Sequence, residues 1–480
     1  MSNNQGSAEG FGRFPCGRIR PRPGNRREFL QSVGAGFGAL ALGDLLAADG
    51  LVAGGGTGGL PAGPHYRARA KSVIWLFMEG GPSAMDTFDP KTTLDRHHGQ
   101  LPTQGIDVFF GNPGPLMRSP FQFAQYGDSG TWVCDRMPHI ARHVDRLALV
   151  KSCYAESPSH GPAMYQMNTG MIRAGLPSAG AWVTYGLGSV NQNLPGFVVL
   201  QNSRGSKGGA GNWGAGFLPS DYQATAFRSQ GSPILNLARP ADLDLTRQRR
   251  LLDQARALNE EHAARHPGEE SLRARIQSYE LAFHMQAEAT EAVDFSREPA
   301  HVKQAYGLDQ KVTRPYGEKC LLARRLVERG VRFVQVYCDD EWDSHDKLRE
   351  GHGSRMAETD QPVAALLADL EQRGLLEETL VVWGGEFGRM PVSQSGEGRD
   401  HNPQGFCVWM AGGGIQGGVH YGETDELGWK AAVNPVSVHD LHATILHCLG
   451  VDHERLTYLH NGRRFRLTDV SGEVIRPILA

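Results

Sequence analysis

Short, continuous apolar runs recur along the chain and predict buried strands. The clearest are SVIWLFME, LALVKSCY, LPGFVVLQ, VRFVQVY, TLVVWGG and GFCVWMAGGGI. Runs of this length, apolar on both faces, are typical of parallel strands covered by helices. Amphipathic stretches such as EKCLLARRLVERG and QPVAALLADLEQRG separate several of them. This alternation of helix and strand predicts an α/β fold: a three-layer sandwich with a mostly parallel central sheet.

Residues from about 244 to 300 follow a different pattern. The stretches LTRQRRLLDQARALNEEHAARH and EESLRARIQSYELAFHMQAEATEA are highly charged, with apolar residues at helical spacing. We predict a helical hairpin inserted into the domain and covering the main sheet. The alternative is a solvated spacer without a functional role, which this composition favours over a catalytic role. The pattern leaves open whether this hairpin mediates oligomerisation.

The N-terminal segment predicts export. Residues 1–48 contain six arginines, among them the adjacent pair Arg26 and Arg27, followed by Phe-Leu and a weakly apolar Gly/Ala-rich run. This combination is typical of a twin-arginine signal, and the run is too short and too weakly apolar for a stable membrane span. We therefore expect recognition by the twin-arginine export machinery and a periplasmic or other extracytoplasmic location. A Gly/Pro linker at 49–70 then leaves a single domain at 71–480.

Composition excludes some partners and sites. The formal net charge is −3 and the pI is about 6.7, which argues against a nucleic-acid partner because such proteins usually carry a basic stripe. The seven cysteines form no CxxC pair, so a zinc knuckle or a redox motif is not expected. Buried free thiols are the expected state of the cysteines outside the signal.

Acidic residues and histidines follow the predicted strands. Ligands in open parallel sheets gather beyond the carboxyl ends of the strands, and carboxylates and imidazoles together are the usual ligands of a divalent metal. We predict a metal site there, for Zn, Ca, Mn or Mg. The predicted ligands are Asp86, Asp343, His345, Glu386 and His401. His160, at the start of a predicted helix, and Arg389 are the predicted catalytic residues.

Alternatives exist for several of these residues. Asp86 is equally consistent with capping a turn in SAMDTFD. Glu79 suits a structural pairing with Arg389 or a loop cap better than metal ligation. Arg389 matches the oxygens of a sulfate or phosphate, but an ion pair with Glu386 explains it as well.

Seven linked motifs resemble a known family. They are LFMEGGPSAMDTFDPK, SHGPAMYQMNTG, PSAGAWVTYGLGS, FVQVYCDDEWDSHD, WGGEFGRMP, GRDHNP and HDLHATILHCLG. Together they resemble the exported domain-of-unknown-function 1501 family from about residue 73 to 453. That family looks like a branch of the alkaline phosphatase and sulfatase superfamily, so the resemblance implies an alkaline-phosphatase-like fold.

Within the superfamily resemblance, HGPAMYQMNTG is similar to the sulfatase nucleophile motif and places His160 at the nucleophile position. Ala163 and Met164 stand where sulfatases have Ser and Arg, and Phe387 stands at a ligand position. A formylglycine or phosphoserine mechanism therefore does not carry over. Three interpretations of His160 remain: a metal ligand, a nucleophile or general base, or a helix cap in a non-catalytic protein.

The resemblance and the strand-end residues together imply a metal-dependent hydrolase of sulfate or phosphate esters. Its substrate is expected to be a small anionic ester or a sulfated glycan. The alternative is a sulfatase-like protein that keeps the fold without the chemistry and serves as a binding or scaffold protein.

Overall fold

The structure is a computed structural model of the 480-residue chain. The residues that it describes are 11–13, 19–21 and 63–480, except 104, 110, 202–203, 229–233, 235–238, 240–241, 267–269, 340 and 395. Apart from two short strands, the predicted export signal with Arg26 and Arg27 lies outside the described residues, as does the linker up to residue 62.

The elements are numbered in chain order. The strands are β1 Phe11–Arg13, β2 Ile19–Pro21, β3 Ser72–Phe77, β4 Phe123–Tyr126, β5 Thr131–Cys134, β6 Leu147–Tyr154, β7 Phe197–Leu200, β8 Thr225–Phe227, β9 Phe333–Tyr337, β10 Thr379–Gly384, β11 Gly388–Ser393, β12 Arg399–Asn402, β13 Phe406–Ala411, β14 His420–Tyr421, β15 Glu423–Thr424, β16 Ala431–Val433, β17 Val436–Ser437, β18 Tyr458–His460 and β19 Arg463–Phe465. The α-helices are α1 Ala84–Thr87, α2 Thr92–Arg96, α3 His160–Thr169, α4 Ala179–Leu187, α5 Leu245–Arg265, α6 Glu270–Val293, α7 Ala300–Ala305, α8 Arg314–Glu328, α9 Leu348–Gln372 and α10 Val438–Cys448.

The six predicted strands lie in one nine-stranded sheet. Its order is β14-β6-β13-β10-β3-β9-β7-β8, with β17 also pairing with β6. Pairing from β10 through β3, β9 and β7 to β8 is parallel, and only β13 runs against its neighbours β10 and β6. Strands β3, β6, β7, β9 and β10 therefore end at the same edge of the sheet. The predicted, mostly parallel α/β sheet is confirmed.

Helices cover both faces of this sheet, as the apolar runs require. Alternate residues of β3 enter opposite cores: Ile74 and Leu76 pack with α8 and α9, while Val73 and Trp75 pack with α3, α4 and α10. Because side chains alternate along a strand, a strand covered on both faces must be apolar at every position. The predicted three-layer sandwich follows from this packing.

The inserted hairpin differs from the expectation in one respect. Helices α5 and α6 form at the predicted place, and α6 buries Met285, Ala289 and Ala292 in the core. Helix α5 contains no buried residue, so it does not cover the sheet; it packs on α6. The reason is the composition of α5: most of its residues are charged or polar, so the helix has too little apolar surface to be buried in the core.

Two further expectations concern the cysteines and the membrane. Cysteines 134, 153, 320, 338, 407 and 448 are all buried free thiols, as expected. In the part of the chain that the structure describes, no helix has the length and apolar character needed to span a bilayer.

Candidate metal centre

Five loops converge at the carboxyl edge of the sheet. The loop after β3 carries Glu79, the loop after β6 leads to His160, and the loop after β7 carries Lys207. Asp343 and His345 follow β9, and Glu386 follows β10. The hairpin formed by β11 and β12 crosses this edge and carries His401, which lies opposite Arg389 in the antiparallel register. The parallel sheet thus brings together residues that are far apart in sequence.

Four of these side chains form one compact cluster. One ligand atom each from His160, Asp343, His345 and His401 lies within 4.8 Å of the other three, so this group can hold a metal ion. His160 Nε2 is 3.0 Å from Asp343 Oδ2, and His345 Nε2 is 3.0 Å from Asp343 Oδ1. His401 Nε2 is 3.3 Å from the same Oδ1 and 2.9 Å from His345 Nε2.

The opposite nitrogen of each imidazole has an oxygen partner. His160 Nδ1 donates to Glu386 Oε1 at 2.6 Å. His345 Nδ1 donates to Gln394 Oε1 at 2.5 Å, and His401 Nδ1 donates to the Pro158 carbonyl at 2.6 Å. A neutral imidazole has one N–H, so these bonds direct the Nε2 lone pairs toward the cluster. Oxygen partners behind the ligating nitrogen are the usual surroundings of metal-binding histidines.

This convergence requires positive charge between the nitrogens. Three lone pairs that face one carboxylate repel it, so a proton or a metal ion must lie among them. Burial tends to lower the pKa of His160, but its hydrogen bonds to Asp343 and Glu386 raise that pKa to about 9. Burial tends to raise the pKa of Asp343, yet the three imidazoles and the charge of Arg389 hold it far below its usual range.

His401 responds differently to the same carboxylate. Burial, with the nearby charges of Arg389 and His160, lowers the pKa of His401 despite its hydrogen bond to Asp343. The pKa of His345, which is more exposed, is raised by its hydrogen bond to Asp343. The neutral form is therefore favoured at His401, and neutral imidazole is the form that ligates metals.

His160 does not act as a helix cap. It is the first residue of α3, and the preceding Ser159 has the extended conformation of an N-cap residue without a side-chain cap bond. The His160 ring instead turns to Glu386 and Asp343, and it packs 4.9 Å from the Phe387 ring between centroids. Phe387, fully buried, also packs against His401, so it forms an apolar wall behind two imidazoles.

The structure places Glu386 behind the cluster. Both of its carboxylate oxygens accept from the Gly80 N–H, at 3.0 and 3.2 Å, and Oε1 also accepts from His160. Its side chain is fully buried. In this arrangement Glu386 orients an imidazole, whereas the sequence predicts it as a ligand.

Asp86 is likewise outside the four-residue cluster. Its Oδ2 is 2.7 Å from Arg399 Nε, its Oδ1 is 3.3 Å from Arg399 Nη2, and Ser83 donates to Oδ2. Asp86 and Arg399 are both fully buried. Burial tends to raise the pKa of Asp86, but Arg399 and Ser83 lower it below its usual value. The contacts of Asp86 are those of an ion pair, which the sequence does not reveal because Arg399 is 313 residues away.

Arg389 is placed where a substrate anion cannot reach it. Its side chain is fully buried, and its N–H groups donate to the carbonyls of Gly80, Gly81 and Arg399. Its remaining contact is with Asp343 Oδ1 at 2.7 Å. The predicted role in steadying an anion does not fit this geometry; Arg389 instead fixes the loop after β3 and orients Asp343.

Lys207 also lies at the cluster, although its sequence pattern does not single it out. Its Nζ lies 3.3 Å from Asp343 Oδ2 and 2.6 Å from Glu341 Oε2, with 34% of its side chain exposed. Burial tends to lower its pKa, but the two carboxylates raise it. The available signal was a basic residue in NSRGSKGGAGNWG, the Gly-rich loop after the third apolar run.

Glu79 secures that loop. Its Oε1 accepts from the Lys207 backbone N–H at 2.7 Å, which joins the end of β3 to the loop after β7. Burial, opposed in part by this hydrogen bond and reinforced by the charge of Glu386, raises the pKa of Glu79 to about 7. Glu79 therefore holds a loop, as the structural alternative predicted.

Solved structures share only limited similarity with this chain. A sulfatase from a Pseudoalteromonas species is 12% identical, with 81% of this chain and 69% of that chain covered and a TM-score of 0.36. The phosphonate monoester hydrolase of Agrobacterium radiobacter is 11% identical, with coverages of 86% and 77% and a TM-score of 0.38. The alkaline phosphatase of the Antarctic bacterium TAB5 is 10% identical, with coverages of 75% and 96% and a TM-score of 0.33. Likeness at this level says nothing about activity.

The sequence itself identifies the family. No curated protein matches it. The model of one family, described as a protein of unknown function (DUF1501), matches residues 70–479. This match spans the whole sheet and every residue of the cluster, and the chain therefore belongs to the DUF1501 family.

Proposed function

We propose that this protein is an exported, metal-dependent hydrolase of sulfate or phosphate esters. The observation that carries the proposal is the convergence of three Nε2 atoms on Asp343 while the Nδ1 atoms are bound to oxygens. Export, inferred from the residues around Arg26 and Arg27, is tested by cell fractionation of the full chain.

The donor set favours a transition metal over a hard cation. His160, His345 and His401 offer nitrogen and Asp343 offers oxygen, a combination that suits Zn²⁺ and, less well, Mn²⁺. Ca²⁺ and Mg²⁺ prefer oxygen ligands, of which the cluster has only one residue. When bound, such an ion supplies a Lewis acid that polarises an ester oxygen and lowers the pKa of a water.

The protein groups around the cluster have separate tasks. Arg389 and Glu386 hold Asp343 and His160 in place through the buried contacts described above. Lys207, protonated and partly exposed, is the group available to contact the anionic part of an ester. The ester class itself comes from the resemblance of the sequence motifs to sulfatases and phosphatases.

The second candidate is a binding protein without turnover. Position 160 lacks the hydroxyl or thiol of the superfamily nucleophile, and the N–H groups of the buried Arg389 are directed at three carbonyls and Asp343. Hydrolysis by His160 or by an activated water has to replace that nucleophile. A protein that binds anionic esters without cleaving them fits these two observations as well.

Metal content is the deciding measurement. Elemental analysis of protein purified without chelator is expected to give close to one metal ion per chain, lost in His160→Ala and in His345→Ala because each removes a nitrogen donor. Glu386→Gln should keep the metal but bind it about 10- to 100-fold more weakly, since it removes the partner of His160 Nδ1. His97→Ala, an exposed histidine outside the cluster, is the control.

The outcomes separate the candidates. Stoichiometric metal together with turnover of aryl sulfates or aryl phosphates supports the hydrolase. Stoichiometric metal without turnover on either panel favours the binding protein. A metal-free parent protein contradicts the metal centre.

A further inference from the structure

Ser344, the residue between Asp343 and His345 of the cluster, is held from two sides. Its carbonyl accepts from the Arg399 N–H at 3.0 Å, and its hydroxyl oxygen lies 3.0 Å from His352 Nδ1. Ser344 is 5% exposed, and His352 is fully buried. Asp343 and His345 extend from the backbone on either side of Ser344 and meet at 3.0 Å, so the position of Ser344 affects both.

The other ring nitrogen of His352 fixes the direction of its hydrogen bond to Ser344. His352 Nε2 lies 3.1 Å from the backbone nitrogen of Ser83, and a backbone N–H can only donate. Burial lowers the pKa of His352 to about 3, so the ring is neutral and carries one N–H. Since Nε2 accepts, that N–H is on Nδ1, and His352 donates to the Ser344 hydroxyl.

Helix α9 brings His352 against the loop after β9. A Cβ atom on Gly351 would collide with Ser344 Oγ, so glycine is needed for the first turn of α9 to approach the loop this closely. The Trp342 ring packs edge-on against the His352 ring, with 5.2 Å between centroids. His352 therefore contacts the residue before Asp343 and the residue after it.

We infer that His352 is a positioning residue of the metal centre, an inference that rests on the proposed metal site. Its Nδ1–H holds Ser344, and through the backbone of Ser344 it sets the separation of Asp343 and His345. Both nitrogens of His352 are bound to other groups, so His352 is not itself a ligand. It acts one residue further from the metal than Glu386, which contacts an imidazole directly.

Two substitutions separate the two nitrogens of His352. The amide nitrogen of an asparagine lies near the position of Nδ1, so His352→Asn can still donate to Ser344. The amide group of a glutamine lies near the position of Nε2, so His352→Gln can accept from Ser83 but does not donate to Ser344. The dissociation constant of Zn²⁺ should rise about tenfold in His352→Gln, the low end for groups that support metal ligands, and stay near the parental value in His352→Asn.

Ser344→Ala removes the other partner of the same hydrogen bond. Zn²⁺ should again bind about tenfold more weakly, and the double variant His352→Gln/Ser344→Ala should show no further loss, because both changes remove one interaction. Bound Co²⁺ provides a spectroscopic readout, since its visible absorption depends on ligand geometry. The spectrum should change in His352→Gln and Ser344→Ala and remain parental in His352→Asn.

His442→Gln is the control. His442 is equally buried, but it contacts the Met167 carbonyl and not the loop after β9, so its substitution should leave Zn²⁺ affinity unchanged. Parental Zn²⁺ affinity in His352→Gln overturns the inference. Equal weakening in His352→Asn, His352→Gln and His442→Gln also overturns it, because a general loss of stability would then explain the effect. A parent protein that binds no metal contradicts the proposed centre itself, and the inference with it.

Discussion

The orientation of each imidazole in the cluster depends on the hydrogen-bond partner of its Nδ1 atom. A histidine can donate from one nitrogen and ligate with the other, so the partner of Nδ1 decides what Nε2 can do. In this protein the partners are a carboxylate, an amide and a main-chain carbonyl, on Glu386, Gln394 and Pro158. Three different oxygen groups thus produce the same orientation of three imidazoles.

At the scale of single residues, the buried ion pair of Asp86 and Arg399 leads to a prediction about stability. Asp86→Asn should destabilise the protein by about 3 kcal/mol, because it leaves the buried guanidinium of Arg399 without a countercharge. Metal content per folded chain should stay unchanged. Thermal unfolding and elemental analysis on the same preparation measure both.

Asp95→Asn, at an exposed position, is the matched control and should change stability by less than about 0.5 kcal/mol. Loss of metal from Asp86→Asn without loss of stability would restore Asp86 to the ligand role that the sequence predicts.

At the scale of elements, the loop after β7 completes the site. It is attached at two points: Glu79 accepts from the Lys207 backbone, and Lys207 Nζ reaches Asp343 and Glu341. Gly205 and Gly208 on either side have positive φ angles of 81° and 84°, which non-glycine residues rarely adopt. The glycines let the backbone turn so that the lysine faces the cluster.

This arrangement predicts a specific effect of Lys207. If the protein hydrolyses anionic esters, Lys207→Met should lower kcat/KM roughly tenfold, the low end for a charge-assisted hydrogen bond because the side chain is partly exposed. Lys207→Arg should recover part of the loss, since it keeps the charge. Metal content should not change in either variant.

Lys71→Met is the control, because Lys71 forms an exposed surface ion pair with Glu378. Unaltered kinetics in Lys207→Met would show that the substrate anion is contacted by another group.

At the scale of the whole molecule, two buried histidines link the fold to pH. Burial lowers the pKa of His352 to about 3 and that of His442 to about 3. The neutral His352 accepts a hydrogen bond at Nε2 from the Ser83 N–H. His442 Nε2 donates to the Met167 carbonyl, which joins α10 to α3. Both imidazoles are neutral in the folded protein.

The sign of the pH effect follows from linkage. The unfolded histidines bind protons below about pH 6.5, whereas the folded ones do so only near pH 3. The contribution of these two neutral histidines to the free energy of unfolding is therefore fully present above pH 6.5. It is lost as the pH falls toward 3, by up to about 1.4 kcal/mol per histidine and pH unit.

Thermal unfolding between pH 7.5 and 4.5 should reveal this slope. His442→Gln, whose amide N–H can still donate to Met167, should lose less stability per pH unit than the parent protein. His97→Gln, at an exposed position, should keep the parental slope. Parallel slopes for the parent protein and His442→Gln would show that His442 is not the group responsible.

The α/β architecture, and the edge of the sheet at which the polar loops meet, follow from sequence pattern alone. Apolar runs without alternation require a sheet covered on both faces, and the parallel order of strands requires their polar loops to meet at one edge. This reasoning predicts Asp343, His345 and His401 as ligands and His160 as a catalytic residue, and the structure brings these four side chains together. The position of the inserted hairpin also follows from sequence, because a shift in charge and period is a local property.

The partner of each polar side chain at that edge depends on three-dimensional packing. Asp86, Glu386 and Arg389 carry the same chemical groups as ligands and anion-binding residues, but their partners are distant in sequence and fully buried. A partner is fixed by three-dimensional packing, which one-dimensional spacing does not encode. For the same reason, sequence spacing does not predict that Lys207 lies beside Asp343; the folded loop brings the two side chains together.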